Sequence, residues 1–389
     1  MTDHYHKTWN AETACVHAGY ERGTPEQGLN TPIVTSTAFD YSRDDQVRYP
    51  RYLNTPNHRV VANRIAALEG AEAGFVTASG MGAISAVFLG LMKPGDHAIL
   101  LDGLYGGTTD LIEGLLKPYG FEFSSWDGNP VSLPSLVQQN TRLAWVESPT
   151  NPLLRVIDLE ATADILRERG IVSVIDNTFA TPILQQPIKL GFDLIMHSAT
   201  KYFSGHSDLL CGAVAGSDEL IARIRPQAVR LGSSLNGQDL YLLERSLKTL
   251  AIRIERQSDN AAAIAEWLEA RENVAQVFYP GLESDYGHAT AARQMRAFGA
   301  MLSFRVAAEI DPARFLEALD LITPAVSLAG VESTICQPSR TSHAKLTPDA
   351  RKALGIDDRL MRLSVGIERV EDLVADIDQA MGESGYAGD

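Results

Sequence analysis

Long hydrophobic runs are missing from this chain of 389 residues. No segment approaches the roughly 20 apolar residues that a membrane-spanning helix needs, and the opening MTDHYHKTWNAETACVHAG is too polar for the apolar core of a signal peptide. A cytoplasmic protein is expected. Cysteine is scarce: Cys15, Cys211 and Cys336 are an odd number without CxxC spacing, which excludes a disulfide framework and a thiolate zinc cage. Positive charge is in deficit, with a formal net charge of −15 and no Lys/Arg cluster to neutralise phosphates, so nucleic acid and anionic membranes are excluded as main partners. Gly/Ser-rich and Pro-rich linkers are absent too. With 45% hydrophobic and 21% charged residues, the chain reads as ordered, too long for one compact domain, and directed at a small molecule.

What is present is organised around IVSVIDNTFATPILQQPIKLGFDLIMHSATKYFSGHSDLLCG, residues 171–212. It holds two apolar strand-like runs, IVSVID and FDLIMHS, each ending in polar residues where a parallel strand delivers them to the carboxyl edge of a sheet. That edge is where open α/β sheets bind ligands. The first run delivers Asp176; the second delivers Ser198, Thr200 and then Lys201.

Upstream, residues 1–60 lack clear periodicity and contain RYPRYLNTPNH, read as an ordered arm in which Tyr49 and Arg51 either lie on a surface loop or reach an anionic ligand, on a neighbouring subunit in the second case. From Val61, Ile65 and Leu68 a helix is predicted up to Gly70. AGFVTASGMGAISAVFLGLMKPGDHAILLD then reads strand, turn, helix, turn, strand. Its Ser79-Gly80-Met81-Gly82 turn exposes backbone N–H groups at a helix N-terminus, a ready phosphate site. Gly80-x-Gly82-x-x-Ser85 with Asp102 downstream also resembles a dinucleotide fingerprint lacking its third glycine, so an NAD-binding dehydrogenase is the rival reading. Tyr105, in a glycine-rich loop after the next strand, either stacks on an aromatic cofactor or packs beneath its turn. Further on, a long Gly- and Pro-free stretch from Asp239 to Ala270 predicts one linking helix. A smaller α+β portion follows, with Arg362 in an apolar strand where a buried charge needs a partner: a substrate carboxylate or an internal ion pair.

A lysine at a strand end, with hydroxyls for a phosphate and a carboxylate on the adjacent strand, is the constellation that pyridoxal 5'-phosphate demands. Its aldehyde bonds to an amine, and an acid keeps its ring nitrogen protonated so that the ring can accept electrons. The spacing of His197, His206, Asp208 and Cys211 matches no metal-site pattern, so no metal is expected. The runs SGMGA, YGGT, ESPTNPLLRV, DNTFATPILQQP, HSATKYFSGHSD, GAMLSF, SLAGVEST and LMRLSVGIE together resemble the Cys/Met-metabolism family of pyridoxal-phosphate enzymes, over nearly the whole chain and in order.

The resemblance implies a fold-type I α/β architecture, with a mostly parallel sheet covered by helices on both faces and a smaller C-terminal α+β domain. The expected divisions are an N-terminal arm at 1–60, a cofactor-binding large domain at 61–255 and a small domain at 256–389. It makes Lys201 the lysine bonded to the cofactor, Asp176 the partner of the ring nitrogen with Thr178 beside it, and Tyr105 the residue over the ring. Ser198, Thr200, Gly80 and Met81 surround the phosphate, with Tyr49 and Arg51 completing that of a neighbouring subunit in a homotetramer built from two dimers. Arg362, with Asn151, Ser327 and Glu332, is implied to hold the substrate. Two departures stand out: the Tyr-x-Arg run is not followed directly by Asn-Pro-Thr, and Ala329 stands where glycine is common. The implied activity is γ-replacement or γ-elimination on a homoserine- or cystathionine-type amino acid, with the cystathionine β-lyase type as the alternative.

Overall fold

In a computed structural model of the protein, residues 9–20, 28–43 and 46–385 are described. They divide into two compact units, the chain passing from the first to the second after residue 147, back after 156, and again to the second after 251.

The first unit is built on seven strands: β1 (Ala73–Thr77), β2 (His97–Leu101), β3 (Glu122–Trp126), β4 (Thr141–Glu147), β5 (Val172–Asp176), β6 (Leu194–His197) and β7 (Gly212–Gly216). Their spatial order is β1-β7-β6-β5-β4-β2-β3. Only β7 runs antiparallel to its neighbours, β1 and β6; the remaining pairs are parallel. The sequence supports this, since β4 to β6 are short apolar runs that a sheet buried on both faces requires. Trp145, Val174, Ile195 and Met196 are fully buried, and Phe88 stacks on Trp145 with centroids 4.9 Å apart.

The expected strand-helix-strand around Gly80 forms as β1, a helix Gly80–Leu91 and β2. Its strands are not neighbours, however: β1 is an edge strand paired only with β7, and four strands separate it from β2. A dinucleotide fold needs those two strands side by side with the glycine turn between them, so the dehydrogenase reading falls on topology. The predicted linking helix is two helices, Gly237–Leu247 and Leu250–Glu269. At the break the Thr249 hydroxyl donates to the Ser246 carbonyl (3.1 Å), a local bond that competes with helix continuation. Pro226 sits inside the helix Asp218–Leu231, a residue that sequence rules place at helix ends.

The second unit has a five-stranded sheet, ordered β10-β11-β12-β9-β8, from β8 (Val274–Phe278), β9 (Met301–Val306), β10 (Thr323–Pro324), β11 (Thr334–Cys336) and β12 (Leu360–Ser364). The segment 148–156 belongs with it through the Ser303 hydroxyl, which donates to the Pro152 carbonyl (2.7 Å).

Candidate active site

In the first unit the strand order reverses between β2 and β4: from β2 the chain goes outward to β3, then returns to the other side of β2 as β4. The crevice at such a reversal, beyond the carboxyl ends of the strands, is where this class of sheet holds ligands. Tyr105 follows β2 and Glu147 ends β4, and the Tyr105 N–H donates to Glu147 Oε1 (2.8 Å) across the reversal. Glu147 is paired in register with Asp176 at the end of β5.

Asp176 is half-buried at the carboxyl end of β5. Burial pushes its carboxyl up, while two hydrogen bonds from Thr178 and the neighbouring His197 pull it down. The Thr178 hydroxyl donates to Asp176 Oδ1 and accepts from the Ser198 N–H (2.8 Å), locking the end of β5 to the end of β6. Ser198 begins the turn that presents Lys201, whose N–H donates to the Ser198 carbonyl (3.0 Å) and whose carbonyl accepts from Gly205 (2.7 Å).

The antiparallel strand brings together the residues expected to form a phosphate cradle. Because β7 lies between β1 and β6, the turn after β1 meets the turn after β6. A methyl group built on Gly80 would lie 3.0 Å from the Ser198 hydroxyl. Ser79 caps the helix by accepting from the Gly82 N–H (3.0 Å), and the helix itself offers no acceptor to the Gly80 and Met81 N–H groups. These face the anion-favouring end of the helix dipole. The Thr200 hydroxyl is seated between the Cys211 carbonyl (3.1 Å) and N–H (3.0 Å), so its one proton must turn from that carbonyl to reach a phosphate.

Tyr105, 46% exposed, lies against Met81 and Gly107: a methyl group on Gly107 would come within 2.5 Å of the Tyr105 ring and 2.9 Å of Met81 Sδ. Arg51 is tied to the helix Asp218–Leu231, its Nη1 donating to the Val229 carbonyl (3.4 Å), and its guanidinium lies over the Tyr49 and Tyr52 rings.

In the second unit, Arg362 is buried in the middle of β12. Its Nη1 donates to Asn151 Oδ1 (2.9 Å) and its Nη2 to the Ser327 carbonyl (3.1 Å), while its buried Nε has no partner. A guanidinium with a buried, unspent donor suits a carboxylate. Ser327 itself has φ +80° and Glu332 is exposed.

Sequence reasoning gave no role to Glu147 or to the buried group behind β6, where His197 Nε2 pairs with Glu69 Oε1 and Asn177 also donates to that oxygen (3.2 Å). An apolar run marked the strand end at Asp176; that Glu147 would lie beside it required the strand order. Among the described residues no group of three His, Cys, Asp or Glu is placed to hold a metal ion. The residues present suit pyridoxal phosphate: a glycine cradle with unspent N–H groups, a half-buried acid, and a lysine at the next strand end.

The model of the family described as Cys/Met metabolism PLP-dependent enzyme matches residues 12–382. A cystathionine β-lyase of Lactococcus lactis subsp. cremoris is 40% identical over 374 residues, covering 95% of this chain and 98% of that protein. A cystathionine γ-lyase of Bacillus subtilis is 39% identical over 375 residues, with 95% and 98% covered. Among solved structures, a cystathionine γ-synthase from Xanthomonas oryzae pv. oryzae in complex with cystathionine superposes with a TM-score of 0.93 at 39% identity, covering 97% of this chain and 99% of that one.

Proposed function

The chain belongs to the Cys/Met metabolism family of pyridoxal-phosphate-dependent enzymes, and on that premise we propose that it carries out γ-replacement or γ-elimination on a homoserine- or cystathionine-type amino acid. The observation that carries the cofactor-dependent part of this reading is the convergence of Asp176, Ser198 and Lys201 at adjacent strand ends. When bound, the cofactor supplies an electron sink for negative charge at the substrate α-carbon. The chain's own residues do the rest. Asp176 holds the proton on the ring nitrogen, and Thr178 keeps that carboxylate oriented. Gly80 and Met81 N–H groups and the hydroxyls of Ser198 and Thr200 bind the phosphate. Lys201 Nζ would take the proton from the substrate α-carbon, and Tyr105 would lie over the ring and assist proton transfer. Arg362 Nε, with Asn151 and Ser327 bracing the guanidinium, binds the α-carboxylate, with Glu332 nearby.

The γ assignment is supported by the runs ESPTNPLLRV and GHATAARQMRAFGAMLSF and by Glu332 in SLAGVES. A β-lyase is the second reading, favoured by the Lactococcus relative. Cystathionine separates the two: cleavage on the γ side yields cysteine, 2-oxobutanoate and ammonia, cleavage on the β side homocysteine, pyruvate and ammonia. Mass analysis of products from cystathionine, and from O-acylhomoserine with cysteine, is expected to show the γ products or net synthesis of cystathionine. Pyruvate and homocysteine alone would select the β-lyase.

The working assembly is proposed to be a cytoplasmic homotetramer of two dimers, with Tyr49 and Arg51 reaching the phosphate of a neighbouring subunit. The exposed apolar residues Leu29, Tyr41 and Val47 along the arm support it. Sedimentation should return the mass of four chains; the mass of one chain would rule the shared site out.

A further inference from the structure

Glu147 is 5% exposed at the end of β4, and the Tyr105 N–H is its hydrogen-bond donor. Paired residues on parallel neighbours point to the same face of the sheet, so its carboxyl stands beside that of Asp176. Burial and then the Asp176 charge push the Glu147 carboxyl up to about 8, against the pull of the Tyr105 N–H. Two acids side by side in a buried wall are unfavourable, and an apolar residue of similar volume would avoid that cost. The hydrogen bond shows what such a residue would forfeit. It joins the loop after β2 to the strand pair β4-β5, across the strand-order reversal.

We propose that Glu147 is a positioning residue whose Oε1 fixes the Tyr105 backbone, and so its ring, relative to Asp176. The inference rests on the roles given above to Tyr105 and Asp176. Either protonation state of Glu147 leaves an oxygen that accepts from Tyr105, so the function belongs to the acceptor and not to the charge. Glu147→Gln keeps an acceptor in the same place without charge. Glu147→Leu keeps the volume without the acceptor.

The test compares the holoenzymes of both variants with the wild type by cofactor dissociation constant, visible absorbance band and steady-state kinetics. E147Q should bind pyridoxal phosphate within about threefold of wild type with an unchanged band. E147L should bind it about tenfold or more weakly, the scale of one lost buried hydrogen bond, with a shifted band and a matching fall in kcat. A merely structural role would lower the unfolding temperature of E147L without moving the band. Wild-type affinity and band in E147L, or an E147Q as impaired as E147L, would overturn the proposal. Should E147L not fold, E147A makes the same comparison with a smaller side chain that also lacks the acceptor. Wild-type protein that binds the cofactor yet turns over no tested amino acid would sink the substrate reading alone, since cofactor affinity still decides the role of Glu147. Wild-type protein that binds no cofactor would sink both.

Discussion

At the scale of single residues, the chemistry depends on which donors and acceptors are left unspent. Arg362 is the clearest case: two of its nitrogens donate to Asn151 Oδ1 and the Ser327 carbonyl, and the buried Nε has no hydrogen-bond partner. A buried donor without a partner costs roughly 1–3 kcal/mol, which a substrate carboxylate would relieve. Arg362→Lys keeps the charge but loses the planar fork. It is expected to lower kcat/KM by about 10- to 100-fold, mostly through KM, with the visible band of the holoenzyme unchanged; unaltered kinetics would remove Arg362 from the substrate site. The need for a partner at this position was legible from a charge in an apolar strand. The bracing by Asn151 and Ser327 was not, because 211 and 35 residues separate those partners from Arg362 in the chain.

Among the elements, β7 decides where the proposed phosphate cradle lies. It runs opposite to its neighbours and brings the turn after β1 against the turn after β6. Gly212, at its start, permits this: a methyl group there would lie 2.3 Å from the Ser79 carbonyl oxygen and 2.6 Å from Thr77 Oγ1. Gly212→Ala is therefore expected to push the two turns apart. The cost should be about 3 kcal/mol of stability by chemical denaturation, with weaker binding of both pyridoxal phosphate and inorganic phosphate. A variant with wild-type phosphate affinity would show that the cradle does not depend on this approach. GAVAG carries no periodicity that announces an antiparallel insertion.

For the molecule as a whole, stability should depend on pH through two buried histidines, one in each unit. His58 and His343 are each pushed down to about 4, chiefly by burial, and in addition by Arg225 beside His58 and by Arg362 beside His343. The unfolded chain titrates near pH 6.5. Each group with a depressed folded pKa therefore contributes stability that is present above pH 6.5 and lost as pH falls toward 4. Denaturant unfolding of the holoenzyme from pH 7 to 4 should show this loss. His58→Gln and His343→Gln should each flatten the curve, by on the order of 1–2 kcal/mol at pH 4; an unchanged slope in both would show that neither titrates on unfolding.

By itself the sequence determined the class of architecture and the cofactor, because these are written in local patterns: apolar runs ending in Asp176 and Ser198, a glycine turn at Gly80, and Lys201 following; the family came from resemblance in runs such as SGMGA and HSATKYFSGHSD. The tertiary structure alone decided the strand order, the pairing of Glu147 with Asp176 and of Glu69 with His197, the break between the helices at 247 and 250, and the attachment of residues 148–156 to the later unit. The physical reason is the range of the interactions. Side-chain alternation and capping act over a few neighbouring residues, whereas strand pairing and buried polar contacts join residues tens to hundreds of positions apart and are settled only when the chain packs.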